Sequence, residues 1–563
     1  MNYRLVAKML SRITFLIAAT MIFSLPWAFP AFSGSSSSEF ERRGFLALLG
    51  SILVSCLVGA LLWLRGRDVQ GQMFRKEAMA IVGLSWVLAT FLGALPFAMS
   101  GTSLKEEVVV STANVVVSDQ ADAGATAQQA VYRKRPMTPA DWLFESQSGF
   151  STTGATVLNE LEDPDYVPRC ILFWRSSTHF LGGLGIIVLF VAVLGQGSAG
   201  KQLMRSEMPG PSKDGSQARM QHTAWVFTGI YCGLNAILTL LLKLLGLSWF
   251  DSLCHAFGTL ATGGFSTYNN SVGAFASLNN VGSTNAAWAE IFIIIFMILA
   301  GTNFTLLYFL VLQKPGKLLI DVEWRTYMLI IIVVTALVVL FGYFHKDPYF
   351  YYQGDLPGSL ASGLRQGMFQ VVAILTTTGY GSAADFDKWN SFGRGILFLL
   401  MFVGGCAGST GGGMKVIRHI LFLKILGLEL EKSYHPSVVR PLRLGGHAVE
   451  EQDLRKNILL YFGLILVIFV FSWMFLVTVE PDATWQRGGT GPGSVEHKLI
   501  DSASGIAATL NNIGPGLGTV GAKQNYAHFQ WYSKLLFTFL MMVGRLEIFT
   551  ILVLVLPGFW RAR

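Results

Sequence analysis

Apolar residues in this chain come in blocks of about 20, the length that spans a bilayer core. Ten such blocks stand at 13–32, 44–64, 78–99, 171–195, 223–247, 286–312, 326–344, 393–424, 457–479 and 533–556. The pattern predicts an all-α polytopic membrane protein with ten transmembrane helices and both termini on one side. Arg4, Lys8 and Arg12 precede the first block and the small residues Ser33 to Ser38 follow it. Its apolar run is longer than a signal-peptide core, so it reads as a retained span.

Between spans three and four, five and six, seven and eight, and nine and ten lies a shorter segment that dips without crossing. Each ends in a polar glycine turn: STTGAT from Ser151, TGGFST from Thr262, TTTGYGS from Thr376 and NNIGPGLG from Asn511. Aligning Gly154, Gly264, Gly379 and Gly514 gives separations of 110, 115 and 135 residues, an internal repeat with insertions. Two residues before each glycine stand Thr152, Thr262, Thr377 and Asn512; thirteen before stand Asp141, Asp251, Gln366 and Asp501. Three of these four are helix-capping residues, so each segment reads as a short helix that starts there and runs into the turn. The expected organisation is a two-helix extension over 1–76 and four repeats over 77–200, 201–320, 321–430 and 431–563. An outer insertion lies at about 101–137 in the first repeat.

Composition narrows the functional classes. Hydrophobic residues make up 52% and charged residues 13% of the chain, against about 25% charged in soluble domains. A water-soluble fold is excluded. Five scattered cysteines and nine histidines show no CxxC or HExxH pattern, so no disulfide framework, zinc site or other metalloenzyme centre is indicated. The formal charge of +8 is explained by topology: with the N-terminus inside, most Lys and Arg fall on the inner side and acidic residues on the outer. Nucleic acid is not an implied partner; the lipid bilayer is.

Irregular backbone at membrane depth is tolerated only where protein encloses it or it lines a water-filled path. Four such turns can surround one axis, where their carbonyls replace a cation's hydration shell, as in the four-loop potassium-channel filter. The C-terminal end of each short helix, with roughly half a negative charge, would favour cations over anions. A single Thr-Thr-Gly could be chance; four in register between pairs of spans are not.

In these turns, and in HFLGGLGI from His179, AGTNFTLLY from Ala300, GGCAGSTGGGMK from Gly404 and GRLEIFT from Gly544, the chain resembles the Trk/Ktr/HKT superfamily of potassium uptake proteins, most closely the bacterial TrkH/TrkG branch. The resemblance implies a single-chain, pseudo-fourfold pore with two extra N-terminal helices in a bacterial cytoplasmic membrane, both termini cytoplasmic. It further implies a homodimer and a cytosolic nucleotide-binding regulator of the TrkA type. Potassium is the transported ion and no organic cofactor is implied. The filter would comprise Thr152, Thr153 and Gly154; Thr262, Gly263 and Gly264; Thr377, Thr378 and Gly379; and Asn512, Ile513 and Gly514. In this superfamily glycine at all four filter positions goes with potassium preference, and serine in the first with sodium permeability. The chain departs from the family in its long segment 101–137, read as an outer loop, and in Tyr380 where Phe is usual.

Span eight carries six glycines between Gly404 and Gly413: Gly404, Gly405, Gly408, Gly411, Gly412 and Gly413, with Ser409 among them. Each costs a helix interior about 1 kcal/mol relative to alanine, so the helix is expected to break. By itself the break reads equally as a gate or as a packing kink; the resemblance points to a gate. It does not match the phosphate-binding GxxxxGK[ST] pattern. Arg545 lies deep in span ten, which is costly unless it faces a cavity or a partner. The resemblance implies that it projects into the pore as a barrier to cations. Span residues offer no paired carboxylates or His cluster for catalysis, so an enzyme is not expected, and no span carries the arginine periodicity of a voltage sensor. Symport of potassium with protons or sodium, or a sodium-permeable channel of the same fold, remain the alternatives.

Overall fold

The computed structural model describes the chain apart from residues 34–39, 68, 70–73, 111–128, 186–216, 346–359, 437–439, 441, 445–446, 450–451, 488–494 and 562–563. The end of expected span four, the middle of the outer insertion and the expected repeat boundary at 200–201 lie outside the described residues. Among the described residues the architecture is helical, with two small antiparallel strand pairs.

Among the described residues, seven helices are long and apolar enough to cross a bilayer: Tyr3–Ala28, Arg42–Gly66, Lys76–Met99, His222–Leu244, Gly282–Ala300, Val322–Phe344 and Arg455–Val479. Their outward faces carry Leu53, Leu57 and Leu61 on the second helix and Leu460, Leu466 and Phe471 on the last, all exposed. Lipid, not water, is the solvent that makes such faces stable. The first two helices pack closely, with Ser11 Oγ donating to the Gly59 carbonyl at 2.8 Å and Gly59 set against the Phe15 ring.

The remaining expected spans are not single long helices. Span four is described only as Arg169–Leu184. Span eight divides into Ser391–Leu400 and Val416–Tyr434 around the glycine loop, as its composition predicts. Two further breaks were not expected. Span 286–312 divides at Gly301 to Asn303 into Gly282–Ala300 and Phe304–Val311, where Asn303 caps the second piece by accepting from Thr305 N at 2.8 Å. Span 533–556 divides at Leu546 into Trp531–Arg545 and Glu547–Val555. Arg545 therefore ends a helix and is not at the middle of one.

The outer insertion is not simply a loop. Ser103–Val110 pairs antiparallel with Gln129–Pro136, Ser103 opposite Pro136 and Val110 opposite Gln129. Its run of valines favours a pleated strand. The hairpin is tied down at its base, where Lys105 pairs with Glu160 at 2.9 Å.

The four short helices are Pro139–Phe150, Trp249–Leu260, Leu360–Leu375 and Val495–Leu510. The aspartates do not cap them. Thr138 and Ser248 are the N-caps of the first two, and Asp141 and Asp251 sit three residues later. In the first, Asp141 bonds back to the cap in a reciprocal capping box. The third and fourth helices begin before Gln366 and Asp501.

Candidate functional site

All four short helices end in the same way. In the first, Thr153 N reaches the Ser148 carbonyl at 2.9 Å and Thr152 N the Gly149 carbonyl at 3.1 Å. Gly263 N to Gly258 O, Thr378 N to Ala373 O and Ile513 N to Ala508 O repeat the longer bond, each at 2.8 Å. This is the Schellman arrangement, whose left-handed residue is usually glycine. Here that residue is Thr152, Thr262, Thr377 or Asn512, with φ of 52°, 53°, 60° and 55°. Such non-glycine residues persist only where their surroundings over-determine them, and they cluster at functional sites. Sequence reasoning located the residues two before each glycine, but not their strain.

The aligned glycines follow two residues later, also left-handed, with φ of 81°, 75°, 74° and 97°. Each lies against the turn that comes next in the chain. A Cβ on Gly154 would meet the Gly263 carbonyl oxygen at 2.1 Å, and one on Gly264 the Thr378 oxygen at 2.0 Å. A Cβ on Gly379 would meet the Ile513 oxygen at 1.9 Å, and one on Gly514 the Thr153 oxygen at 2.4 Å. The four contacts run in chain order and the last closes on the first. All four glycines line one cavity of about 110 Å³.

Buried side chains brace the turns. Glu145 accepts from Arg175 Nε at 2.6 Å, Thr156 Oγ1 at 2.9 Å and Val157 N at 2.9 Å. Arg175 in turn donates to the Ser266 carbonyl at 3.0 Å and lies over the Phe265 ring, so one ion pair joins the first and second turns. Removing one partner of such a pair typically costs about 3–5 kcal/mol. Lys534 and Asp141 form a second buried pair at 2.5 Å. His179 bonds the Gly149 carbonyl through Nδ1 at 2.8 Å and accepts from Phe265 N at Nε2, which fits a neutral ring. After the fourth turn, Gly518 N donates to Asp387 at 2.8 Å and Thr519 N to Asp501 at 2.9 Å. Burial, with Asp385 and Asp501 nearby, pushes the Asp387 carboxyl up to about 7 against the pull of the Gly518 N–H and Arg394.

A second cavity, of about 120 Å³, is lined by Gly408 to Gly413, Lys415, Tyr231, Phe304 and Arg545, among others. The glycine loop packs against the third and fourth turns: Gly412 N donates to Thr377 Oγ1 at 2.9 Å, and Gly413 stands against the Asn511 carbonyl. Gly404 and Gly405 lie in the neck of the loop, where Gly404 N donates to the Met414 carbonyl at 2.7 Å. Arg545 donates to the Thr410 carbonyl at 2.6 Å and to the Gly182 carbonyl at 2.5 Å, joining the loop to helix Arg169–Leu184. Thr152 Oγ1 is buried and makes no hydrogen bond among the described residues. Arg175, Glu145 and Glu323, which contacts the loop, were not singled out from sequence. Their only signal there was a charge within or beside an apolar segment.

A family model described as TrkH, cation transport protein, matches residues 77–558. The chain belongs to the TrkH family. It is 32% identical to the Trk system potassium uptake protein TrkH of Salmonella typhimurium over 566 residues, covering 100% of both chains. It is 33% identical to the Trk system potassium uptake protein TrkG of Escherichia coli over 531 residues, 93% of each. The crystal structure of the potassium transporter TrkH from Vibrio parahaemolyticus superposes with a TM-score of 0.77 at 27% identity, covering 100% of both chains. The family match begins at residue 77, after the first two helices.

Proposed function

We propose that this TrkH-family chain carries potassium into a bacterial cell across the cytoplasmic membrane, through the ring formed by its four glycine turns. The observation that carries the reading is the closed order of contacts in which Gly154, Gly264, Gly379 and Gly514 each abut a carbonyl of the following turn. Only glycine leaves room for these oxygens, and oxygen donors on a common axis are what a dehydrated alkali cation requires. The ten-span, four-repeat plan with both termini cytoplasmic follows from this reading once the broken helices are counted as single crossings.

In this account the filter consists of residues 152–154, 262–264, 377–379 and 512–514, and potassium is cargo bound by carbonyl and hydroxyl oxygens. The buried, unbonded Thr152 hydroxyl is suited to face the ion path below the ring. The glycine loop from Gly404 to Gly413 is the gate, held against the third turn through Thr377. Arg545 places a fixed positive charge beside the loop and opposes cations while bonded there. The chain acts as a homodimer opened by a cytosolic nucleotide-binding partner, as the TrkH/TrkG resemblance implies. Uptake of radiolabelled rubidium by proteoliposomes tests the reading. Uptake displaced by potassium is the expected result, and uptake insensitive to potassium would defeat it.

A further inference from the structure

We propose that Glu323 is the positioning residue that fixes the neck of the glycine loop, so that the neck is the pivot and the tip is the part that moves. The inference rests on the loop being the gate, as above, and adds the residue that holds it.

Glu323 stands at the start of helix Val322–Phe344, buried to 8% exposure. One of its carboxylate oxygens, Oε1, accepts from Ala407 N at 2.7 Å and from Ile417 N at 3.0 Å. These amides belong to opposite limbs of the loop, ten residues apart in the chain. The limbs are also joined by their own backbone, through Gly404 N to the Met414 carbonyl at 2.7 Å and Val416 N to the Gly405 carbonyl at 3.2 Å. Glu323 closes that neck from outside.

The same oxygen supplies a missing helix cap. Helix Val416–Tyr434 begins after Lys415, whose side chain caps nothing; its Nζ turns back to the Gly411 carbonyl of the loop. Ile417 N is one of the amides that a cap would satisfy, and a carboxylate at a helix N-terminus is favoured by the helix dipole as well. Ala407 is buried and Ile417 half-buried, so loss of this acceptor leaves two N–H groups unpaired, one of them away from solvent.

The tip is held differently. Its bonds go to other parts of the pathway: Thr410 O to Arg545, Gly412 N to Thr377 Oγ1, and Thr410 Oγ1 to the Ala300 carbonyl at 3.1 Å. Thr410 N also reaches the Ala300 carbonyl, at 3.3 Å, and Gly408 O accepts from Phe304 N at 3.0 Å. These partners lie outside the loop, and none of the bonds joins the two limbs of the neck.

The test uses the full-length chain in proteoliposomes, with Cys406, fully buried in the neck, as reporter of loop release. Rubidium flux and the rate of Cys406 labelling by a water-soluble thiosulfonate are measured in a Cys56→Ser, Cys232→Ser background, with Cys406→Ser defining the signal. Glu323→Gln keeps a carbonyl oxygen for both amides and is expected to stay within twofold of the background on both readouts. Glu323→Ala is expected to raise labelling at least tenfold and potassium-competed flux severalfold. Glu323→Asp withdraws the oxygen by ~1.5 Å while keeping the charge, and should raise labelling as well; it serves where the alanine variant fails to assemble. Unchanged labelling in correctly assembled Ala or Asp variants, or a Gln variant that behaves like Ala, would overturn the assignment. Labelling that follows these expectations with no potassium-competed flux in any form, wild type included, would leave the neck assignment standing and remove the gate reading beneath it.

Discussion

Gly264→Ala probes the ring where the geometry is tightest against backbone alone. The new Cβ would stand 2.0 Å from the Thr378 carbonyl oxygen, and since real Cβ contacts do not fall under 3.0 Å, that oxygen must withdraw by about 1 Å. Holding alanine at the φ of 75° found here costs about 1–2 kcal/mol. A carbonyl oxygen with about half a unit charge, moved from ~3 to ~4 Å from a cation at an effective dielectric of about 20, loses about 0.7 kcal/mol. Together these disfavour the ion-binding geometry by about 2 kcal/mol, or about thirtyfold. Potassium-competed rubidium uptake should fall by that order in protein that remains monodisperse in detergent. Gly463→Ala, where a Cβ meets nothing within 4 Å, should leave uptake unchanged. Uptake by Gly264→Ala within twofold of wild type would show that cations do not pass this ring.

Three further outcomes are expected. Arg545→Ala should raise cation flux: at ~5 Å and an effective dielectric of about 20 a unit charge opposes a cation by about 3 kcal/mol, and relieving half of that gives about a tenfold rise, so equal or lower flux at matched reconstitution would count against the barrier. Gly154→Ser, whose Cβ would press on the Gly263 carbonyl oxygen at 2.1 Å, should lower the potassium-to-sodium permeability ratio, read from reversal potentials in bilayers; an unchanged ratio would sink the role of the first turn. Asp387 has its folded-state pKa raised from 3.8 to about 7, so the folded form holds the extra proton. The stability it contributes is complete below about pH 4 and is lost as pH rises to about 7. Thermal unfolding in detergent should therefore occur at a lower temperature at ~pH 8 than at ~pH 5, with the difference reduced in Asp387→Asn; a difference of the same size in that variant would contradict the assignment.

Much of the path was legible in the chain because membranes constrain sequence severely. Apolar blocks of bilayer length and a fourfold glycine register both survive without tertiary information. The glycine-rich break at 404–413 was legible too, since helix propensity alone forbids a regular helix there. The breaks at Gly301 to Asn303 and at Leu546 were not. One offers a single glycine followed by a capping Asn303, and the other an ordinary leucine with a ψ of 43°. In both, contacts with the glycine loop override local preference: Gly301 and Ala300 give their carbonyls to Cys406 N and Thr410 N, and Arg545 reaches Thr410 O. In the first two short helices the cap was misplaced by three residues because an aspartate at the third helical position bonds back to the cap and leaves the same compositional trace; in the fourth, Asp501 lies six residues inside the helix that starts at Val495. Glu145, Arg175 and Glu323 were illegible for a different reason. A buried charge announces that a partner exists but not which one: Glu145 pairs with Arg175 30 residues on, and Glu323 with amides 84 and 94 residues on.

The most direct test of the account is rubidium uptake by proteoliposomes containing the purified chain, titrated with external potassium and, separately, with sodium, with and without an imposed proton or sodium gradient. A ring of four glycine turns that selects potassium predicts displacement by potassium at concentrations well below those needed for sodium, with no requirement for either gradient. Displacement by sodium as readily as by potassium would contradict selection by this ring, and uptake that depends on a gradient would replace the pore with a coupled carrier.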